Sequence, residues 1–185
     1  MNTVISRLRS RPIVSLIGVV ALLLAGVFGV VASLSGGSNP VGTREVVNTA
    51  GGYRFEAPDG WSTIQTDRTT TVTSPDRATV ITLGFGRAGS LPVAGAVFFQ
   101  QVGGNYRDVQ VFPPDGKHVG ELPALIYGGV GTNPQNVRIR FLAITIQNDP
   151  VNYAITVFTE AGSDPKIVLP QVNRVVDTFR ALPPR

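Results

Sequence analysis

The chain has 185 residues, with 16 basic and 12 acidic side chains, one His and no Cys. Without a leader of about 40 residues, the remainder has the length of a single domain. The absence of Cys excludes disulfides, thiolate metal sites and a lipid-attachment cysteine, and a single His excludes a multi-histidine metal site. We therefore expect no metal or other cofactor.

The excess of positive charge is concentrated at the N-terminus. Arg7, Arg9 and Arg11 lie in the first dozen residues, which contain no acidic residue. The rest of the chain carries 13 of the 16 basic side chains against 12 acidic ones, and they are scattered singly apart from Arg138 and Arg140. A nucleic-acid-binding surface needs a basic face or stripe, so we expect no nucleic-acid partner.

An uncharged apolar run follows the basic segment. Residues 13–34 read IVSLIGVVALLLAGVFGVVASL, and a helix of that length spans about 33 Å, enough to cross a bilayer. Because three arginines precede the run and no basic residue follows until Arg44, the N-terminus is expected in the cytoplasm. We predict a basic cytoplasmic segment at residues 1–12 and a transmembrane signal-anchor at residues 13–34, with apolar side chains that include Ile13, Leu16, Leu22, Leu24, Phe28 and Leu34.

Cleavage of this leader is the alternative interpretation. Val30 and Ala32 suit a cleavage site, but the apolar run is longer than the roughly 7–15 residues of a usual signal peptide, which favours the anchor. Both interpretations place the rest of the chain outside the cytoplasm. The polar stretch from Ser35 to Pro40 predicts a flexible linker over residues 35–50, followed by an extracytoplasmic domain over residues 51–185.

Several segments of the outer domain have the alternating or β-branched composition of strands. Pro58-Asp59-Gly60 predicts a turn before Trp61, which is expected in the core. Asn148-Asp149-Pro150 predicts the turn of a hairpin between the last two strands. The predicted strands are Tyr53–Ala57, Thr69–Ser74, Ala78–Phe85, Val109–Phe112, His118–Tyr127, Asn136–Gln147 and Tyr153–Thr159.

Two segments have the spacing of amphipathic helices. Leu91–Gln101 predicts a short helix, and the apolar residues from Val168 to Phe179 predict a terminal helix. Because proline is tolerated only in a first turn, the terminal helix is expected to begin near Pro170. This order predicts an α+β domain in which helices flank a mostly antiparallel sheet.

A family resemblance follows from these elements. A strand with Tyr53-Arg54-Phe55, then Ala57-Pro58-Asp59-Gly60-Trp61, and a last helix ending in Val176-Asp177-Thr178-Phe179-Arg180 resembles the Mog1/PsbP-like fold, an α/β/α sandwich. Within it, residues 53–182 look like the LpqN-type envelope proteins of actinobacteria, whose acylated cysteine is absent here. The predominance of Arg over Lys is typical of a GC-rich genome. The resemblance implies interaction with another protein rather than catalysis.

Three patterns with catalytic or cofactor chemistry have simpler explanations. Gly84–Gly89 matches G-x-G-x-x-G, but the strands that follow do not form the βαβ repeats of a dinucleotide fold, so a strand-to-helix loop is favoured. Ser163–Lys166 has the S-x-x-K spacing, and helix capping explains it better because the companion motifs are absent. His118 has no Ser or Cys signature near it, and no catalytic residue is predicted.

Aromatic residues in the middle of the domain are the candidates for a binding surface. Phe98 and Phe99 differ by about 100° on a helix, so one of them is expected to line a groove or contact patch together with Phe112. Gly128 and Gly129 are predicted in a mobile loop between strands at the same site.

Three functions follow in order of preference. The first is a membrane-anchored, non-catalytic accessory module that binds a protein in a membrane or envelope complex. The second is a carrier or sensor of an apolar molecule or lipid, which requires a deep apolar pocket, whereas the first requires a filled core and an exposed patch. The third is a hydrolase with two carboxylates in one cleft.

Overall fold

The computed structural model describes residues 42–87 and 89–183. The strands are β1 (Thr43–Asn48), β2 (Tyr53–Pro58), β3 (Ser62–Gln65), β4 (Thr69–Thr73), β5 (Thr79–Arg87), β6 (Arg107–Val111), β7 (Asp115–Val119), β8 (Leu122–Thr132), β9 (Arg138–Asn148), β10 (Val151–Glu160) and β11 (Arg180–Ala181). The helices are α1 (Leu91–Asn105) and α2 (Pro165–Asp177). Neither of these two helices is long and apolar enough to cross a bilayer, and the anchor predicted at residues 13–34 lies outside the described residues.

The strands of this part of the chain form two sheets, and every pairing is antiparallel. The large sheet has eight strands in the order β3-β4-β5-β10-β9-β8-β6, with β7 paired to β8. The small sheet has three strands in the order β1-β2-β11. The predicted α+β class and antiparallel sheet are therefore confirmed, and the small second sheet is an addition to the prediction.

Both faces of the large sheet are covered. On one face, Phe98 and Val102 of α1 pack on Phe141 and its neighbours. On the other face, α2 and the small sheet enclose the main core, in which Phe55, Ile144 and Val175 are among the buried residues. Coverage of both faces explains why β9 and β10 are apolar at successive positions rather than at alternate ones.

Trp61 is buried as predicted, and Asn148-Asp149-Pro150 forms the turn of the predicted β9–β10 hairpin, because Val151 pairs with Asn148. The predicted linker extends too far, since its last part forms β1, paired with β2 over six residues. Exposed and buried residues alternate only over the last part of Thr43–Asn48, so the pattern was too short to predict a strand. Pairing with β2 makes this segment a strand.

Three further predictions are corrected. The predicted strand His118–Tyr127 is split into β7 and β8 by a tight turn at Gly120, whose φ of 60° favours glycine. Gly128 and Gly129 lie inside β8 and not in a loop, because both neighbouring strands pair with this segment. Helix α2 begins at Pro165 rather than near Pro170.

The early start of α2 has a local cause. The Asp164 side chain caps the helix by accepting a hydrogen bond from the Lys166 amide at 2.9 Å, and Val168 adds a further side chain to the main core. Pro170 removes a single helical hydrogen bond, and these two contributions offset that loss. Helix capping by the segment Ser163–Lys166 is thus confirmed, but the capping residue is Asp164 and not the predicted Ser163.

Candidate functional site

The structure places a cleft of about 1020 Å³ at one end of the domain. Three tight turns and the C-terminal segment meet there: the β1–β2 turn, the β7–β8 turn, the β9–β10 turn and residues 179–183. In an antiparallel sandwich, turns that connect alternate strands collect at the same end. The cleft is therefore a direct consequence of the topology.

The walls of the cleft are largely apolar, and the charged side chains are at its exposed rim. Tyr153, Phe179 and Val119 are buried, whereas Glu121, Asp149 and Arg180 are exposed. Five further apolar lining residues are half-buried, and three are exposed: Phe85, Leu122, Val151, Ala181 and Leu182 in the first group, and Ala50, Pro150 and Pro183 in the second. An apolar interior with a few polar groups at the rim is typical of binding sites.

Hydrogen bonds fix two of the lining side chains. The Tyr153 hydroxyl donates to the Gly52 carbonyl at 2.9 Å, and burial raises the pKa of this hydroxyl, so that it stays protonated as a donor. Arg180 Nη1 donates to the carbonyls of Asp177 at 2.8 Å and Phe179 at 2.6 Å. These bonds hold the guanidinium beside the end of α2.

One wall of the cleft is an open sheet edge. Strand β11 is the edge strand of the small sheet, and the Leu182 amide donates to the Gly52 carbonyl at 2.8 Å. Because antiparallel residues alternate in the direction of their amide and carbonyl groups, those of Ala181 point away from β2. The cleft thus has backbone hydrogen-bonding groups on one side.

The acidic residues at the rim have no metal-binding arrangement. Among the described residues, no group of three or more His, Asp or Glu side chains converges on one position. Glu121 and Asp149 line the same cleft, and His118 is exposed on β7. Gly84–Arg87 of the G-x-G-x-x-G match lie in β5, between β4 and β10. This antiparallel context differs from the loop of a dinucleotide fold.

The five predicted binding residues are divided between the two faces of β8. Phe98 is 7% exposed and contacts Phe99, whose ring is 5.1 Å from that of Tyr127. Phe112 is 52% exposed and lies over Gly128 on the opposite face. A role of these residues in binding stays a prediction, and Phe112 is the exposed ring among them.

The cleft was not predicted from the sequence. Its turn residues were visible as Gly51-Gly52, Gly120 and Asn148-Asp149-Pro150. Nothing in their spacing indicated that the three turns meet at one end, which depends on strand order.

Known structures resemble this one, although no protein-family model and no curated protein matches the chain. Cyanobacterial PsbP of Synechocystis has a TM-score of 0.59 at 15% identity, covering 79% of this chain and 98% of its own. The Saccharomyces cerevisiae Ran-binding protein Mog1p has a TM-score of 0.55 at 10% identity, covering 76% and 96%. LpqN, involved in cell envelope biogenesis of Mycobacterium tuberculosis, has a TM-score of 0.51 at 14% identity, covering 71% and 83%. The chain therefore has the Mog1/PsbP-like fold, as the sequence predicted.

Proposed function

We propose that the chain is a membrane-anchored, extracytoplasmic binding module that acts without catalysis as an accessory subunit of an envelope or membrane protein complex. The observation that carries the proposal is the end cleft, which has apolar walls and a charged rim. Support comes from the fold, since similar structures include a Ran-binding protein and a protein involved in cell envelope biogenesis.

The occupant that fits the cleft is an extended polypeptide segment of the partner. The open edge of β11 offers the amide and carbonyl of Ala181 to another strand, and the adjacent apolar walls suit its side chains. Adding a strand to an exposed edge is a recurring mode of peptide recognition, in which the backbone supplies affinity and pockets supply specificity.

The position of the tether is compatible with this role. Strand β1 runs from Gly42 toward Thr49 at the cleft, and six strand residues span about 20 Å. An anchor at residues 13–34 would therefore join the domain at the end away from the cleft. Tethering raises the effective concentration, so a weak interface suffices.

The test is co-purification of the tagged full-length chain from its own membranes after brief crosslinking, followed by mass spectrometry. Val151→Arg places a charge in the half-buried cleft wall and is expected to abolish recovery of the partner. Ile64→Arg, on β3 at 59% exposure and outside the cleft, is the matched control. Equal recovery with both variants would contradict the assignment to the cleft.

An apolar molecule or lipid in the same cleft is the second candidate function. The cleft volume of about 1020 Å³ and its apolar lining favour it. A lipid that co-purifies with the wild type and is lost with Val151→Arg, in the absence of a protein partner, would establish the carrier. If neither is found, the double variant Glu121→Gln, Asp149→Asn tests the carboxylate hydrolase.

A further inference from the structure

The end of the large sheet remote from the cleft presents three arginines on one face. Arg107 and Arg138 both pair with Thr132, and Arg140 pairs with Val130. Paired residues of antiparallel strands point to the same face. Since Ile139, between Arg138 and Arg140, packs beneath α1, the arginines lie on the opposite face.

Neutral groups accept the hydrogen bonds of these arginines. Arg107 Nη2 donates to Asn136 Oδ1 at 3.1 Å, and Arg140 Nη2 donates to the Ala161 carbonyl at 2.6 Å. Arg138 Nη1 is 3.4 Å from the Asp108 carbonyl. The ion pairs found within residues 42–87 and 89–183 join other side chains. The positive charge of this surface is thus not neutralised by direct contact with a carboxylate.

An exposed aromatic ring adjoins the arginines. Phe112 is 52% exposed, and its Cδ2 is 3.5 Å from the position that a Cβ of Gly128 would occupy. Gly128 precedes Val130 on the same face of β8, and exposed Gln110 of β6 pairs with Val130. We name this surface the basic patch: Arg107, Gln110, Phe112, Val130, Arg138 and Arg140.

The chain enters the domain at the same end. Arg44 bonds to Thr63 of β3, and the strand registers place Thr63 level with Leu142 of β9. Gly42 precedes Arg44 and therefore lies further from the cleft, toward the same end of the domain as Arg140. The seven residues 35–41 span at most about 24 Å, so an anchor at residues 13–34 would keep this end near the bilayer.

We propose that the basic patch docks on an anionic bilayer surface beside the anchor and so holds the end cleft away from the membrane. The inference rests on the anchor of the proposed function. Arginines attract anionic headgroups, and an exposed apolar ring enters the headgroup region. Because the tether already confines the domain, a weak attraction is sufficient.

The absence of cysteine allows a direct test. The full-length variants Gln110→Cys and Glu121→Cys are each labelled with a fluorophore and reconstituted into vesicles. The vesicles consist of phosphatidylcholine, alone or mixed with phosphatidylglycerol, and they carry a quencher at the level of the headgroups. Strong quenching is expected at residue 110 with phosphatidylglycerol and little at residue 121. The double variant Arg138→Glu, Arg140→Glu should weaken docking about 30-fold or more. The control double variant Arg68→Glu, Arg87→Glu, at two exposed positions outside the basic patch, should leave docking unchanged.

Each alternative result has a defined meaning. Equal quenching of both labels, or quenching of the residue 110 label that is the same with and without phosphatidylglycerol, would overturn membrane docking. Neither result would contradict the proposed anchor. A change in the fluorescence of the residue 110 label on addition of polyglutamate, without quenching by anionic vesicles, would overturn membrane docking in favour of binding to an acidic polypeptide. Failure of the full-length chain to float with the vesicles would refute the anchor itself, and the inference with it.

Discussion

Gly129 and Gly128 are adjacent in β8, but only replacement of Gly129 with alanine is expected to lower the stability of the domain. A Cβ at residue 129 would be 2.3 Å from Phe141 Cζ and 2.5 Å from the Gln110 carbonyl oxygen. The Phe141 ring is enclosed by Phe98 and Phe158, with centroids 6.1 and 6.5 Å away. Neither the ring nor the paired β6 backbone can withdraw freely.

The expected cost follows from this crowding. Overpacking of a closed core typically costs about 2 kcal/mol, and the lower entropy of the unfolded alanine chain offsets less than about 1 kcal/mol. Gly129→Ala should therefore lower the free energy of unfolding by about 1–2 kcal/mol, or the Tm by about 3–6 °C. Urea titration of the full-length chain in detergent, followed by fluorescence of the single tryptophan, Trp61, measures it.

Gly128→Ala is the matched control. Its Cβ would meet Phe112 Cδ2 at 3.5 Å and the Phe141 carbonyl at 4.0 Å, which are ordinary contact distances. We expect no loss of stability, or a gain below about 1 kcal/mol. Similar losses in both variants would refute the steric reasoning, because the residues differ mainly in the face of β8 that they occupy.

Three further predictions concern polar groups. Asn48→Ala should lower the free energy of unfolding by about 2–3 kcal/mol, as measured by urea titration. In the core, Asn48 Nδ2 donates to the Tyr53 hydroxyl at 3.2 Å and Asn48 Oδ1 accepts from the Gly51 amide at 2.7 Å. A loss below about 0.5 kcal/mol would contradict this expectation. Burial raises the pKa of Tyr53 above its usual 10.0, so the native state keeps a proton that the unfolded state loses, and stability should fall as the pH rises past 10. Tyr53→Phe should reduce the dependence of stability on pH above 10. An unchanged pH dependence would argue against Tyr53 as the group that causes it. The hydrogen bond from Thr43, and then Arg174, lowers the pKa of Glu56 in the native state. The ionised Glu56 therefore stabilises the fold slightly, and this stabilisation should be lost as the pH falls through the folded pKa. Glu56→Gln should accordingly flatten the acid unfolding curve below pH 4.5.

The sequence by itself determined most of the local structure. Most of the strands and both helices were predicted from the spacing of apolar residues and from turn residues such as Pro58-Asp59-Gly60 and Asn148-Asp149-Pro150. These signals depend only on residues that are close together in the sequence. The predicted binding residues were three aromatic residues, Phe98, Phe99 and Phe112, and two glycines that were expected in a loop, Gly128 and Gly129. Their exposure could not be assigned, since it depends on which elements cover them.

Only the tertiary structure decided where these elements meet. Thr43–Asn48 is a strand because β2 pairs with it, and Gly128 and Gly129 are strand residues because β6 and β9 hold them on both sides. The cleft joins Gly51, Gly120 and Asp149, which are separated by at least 29 positions in the sequence. Periodicity reports which residues are buried and is insensitive to strand order, so sites built from several turns arise only when the sheets assemble.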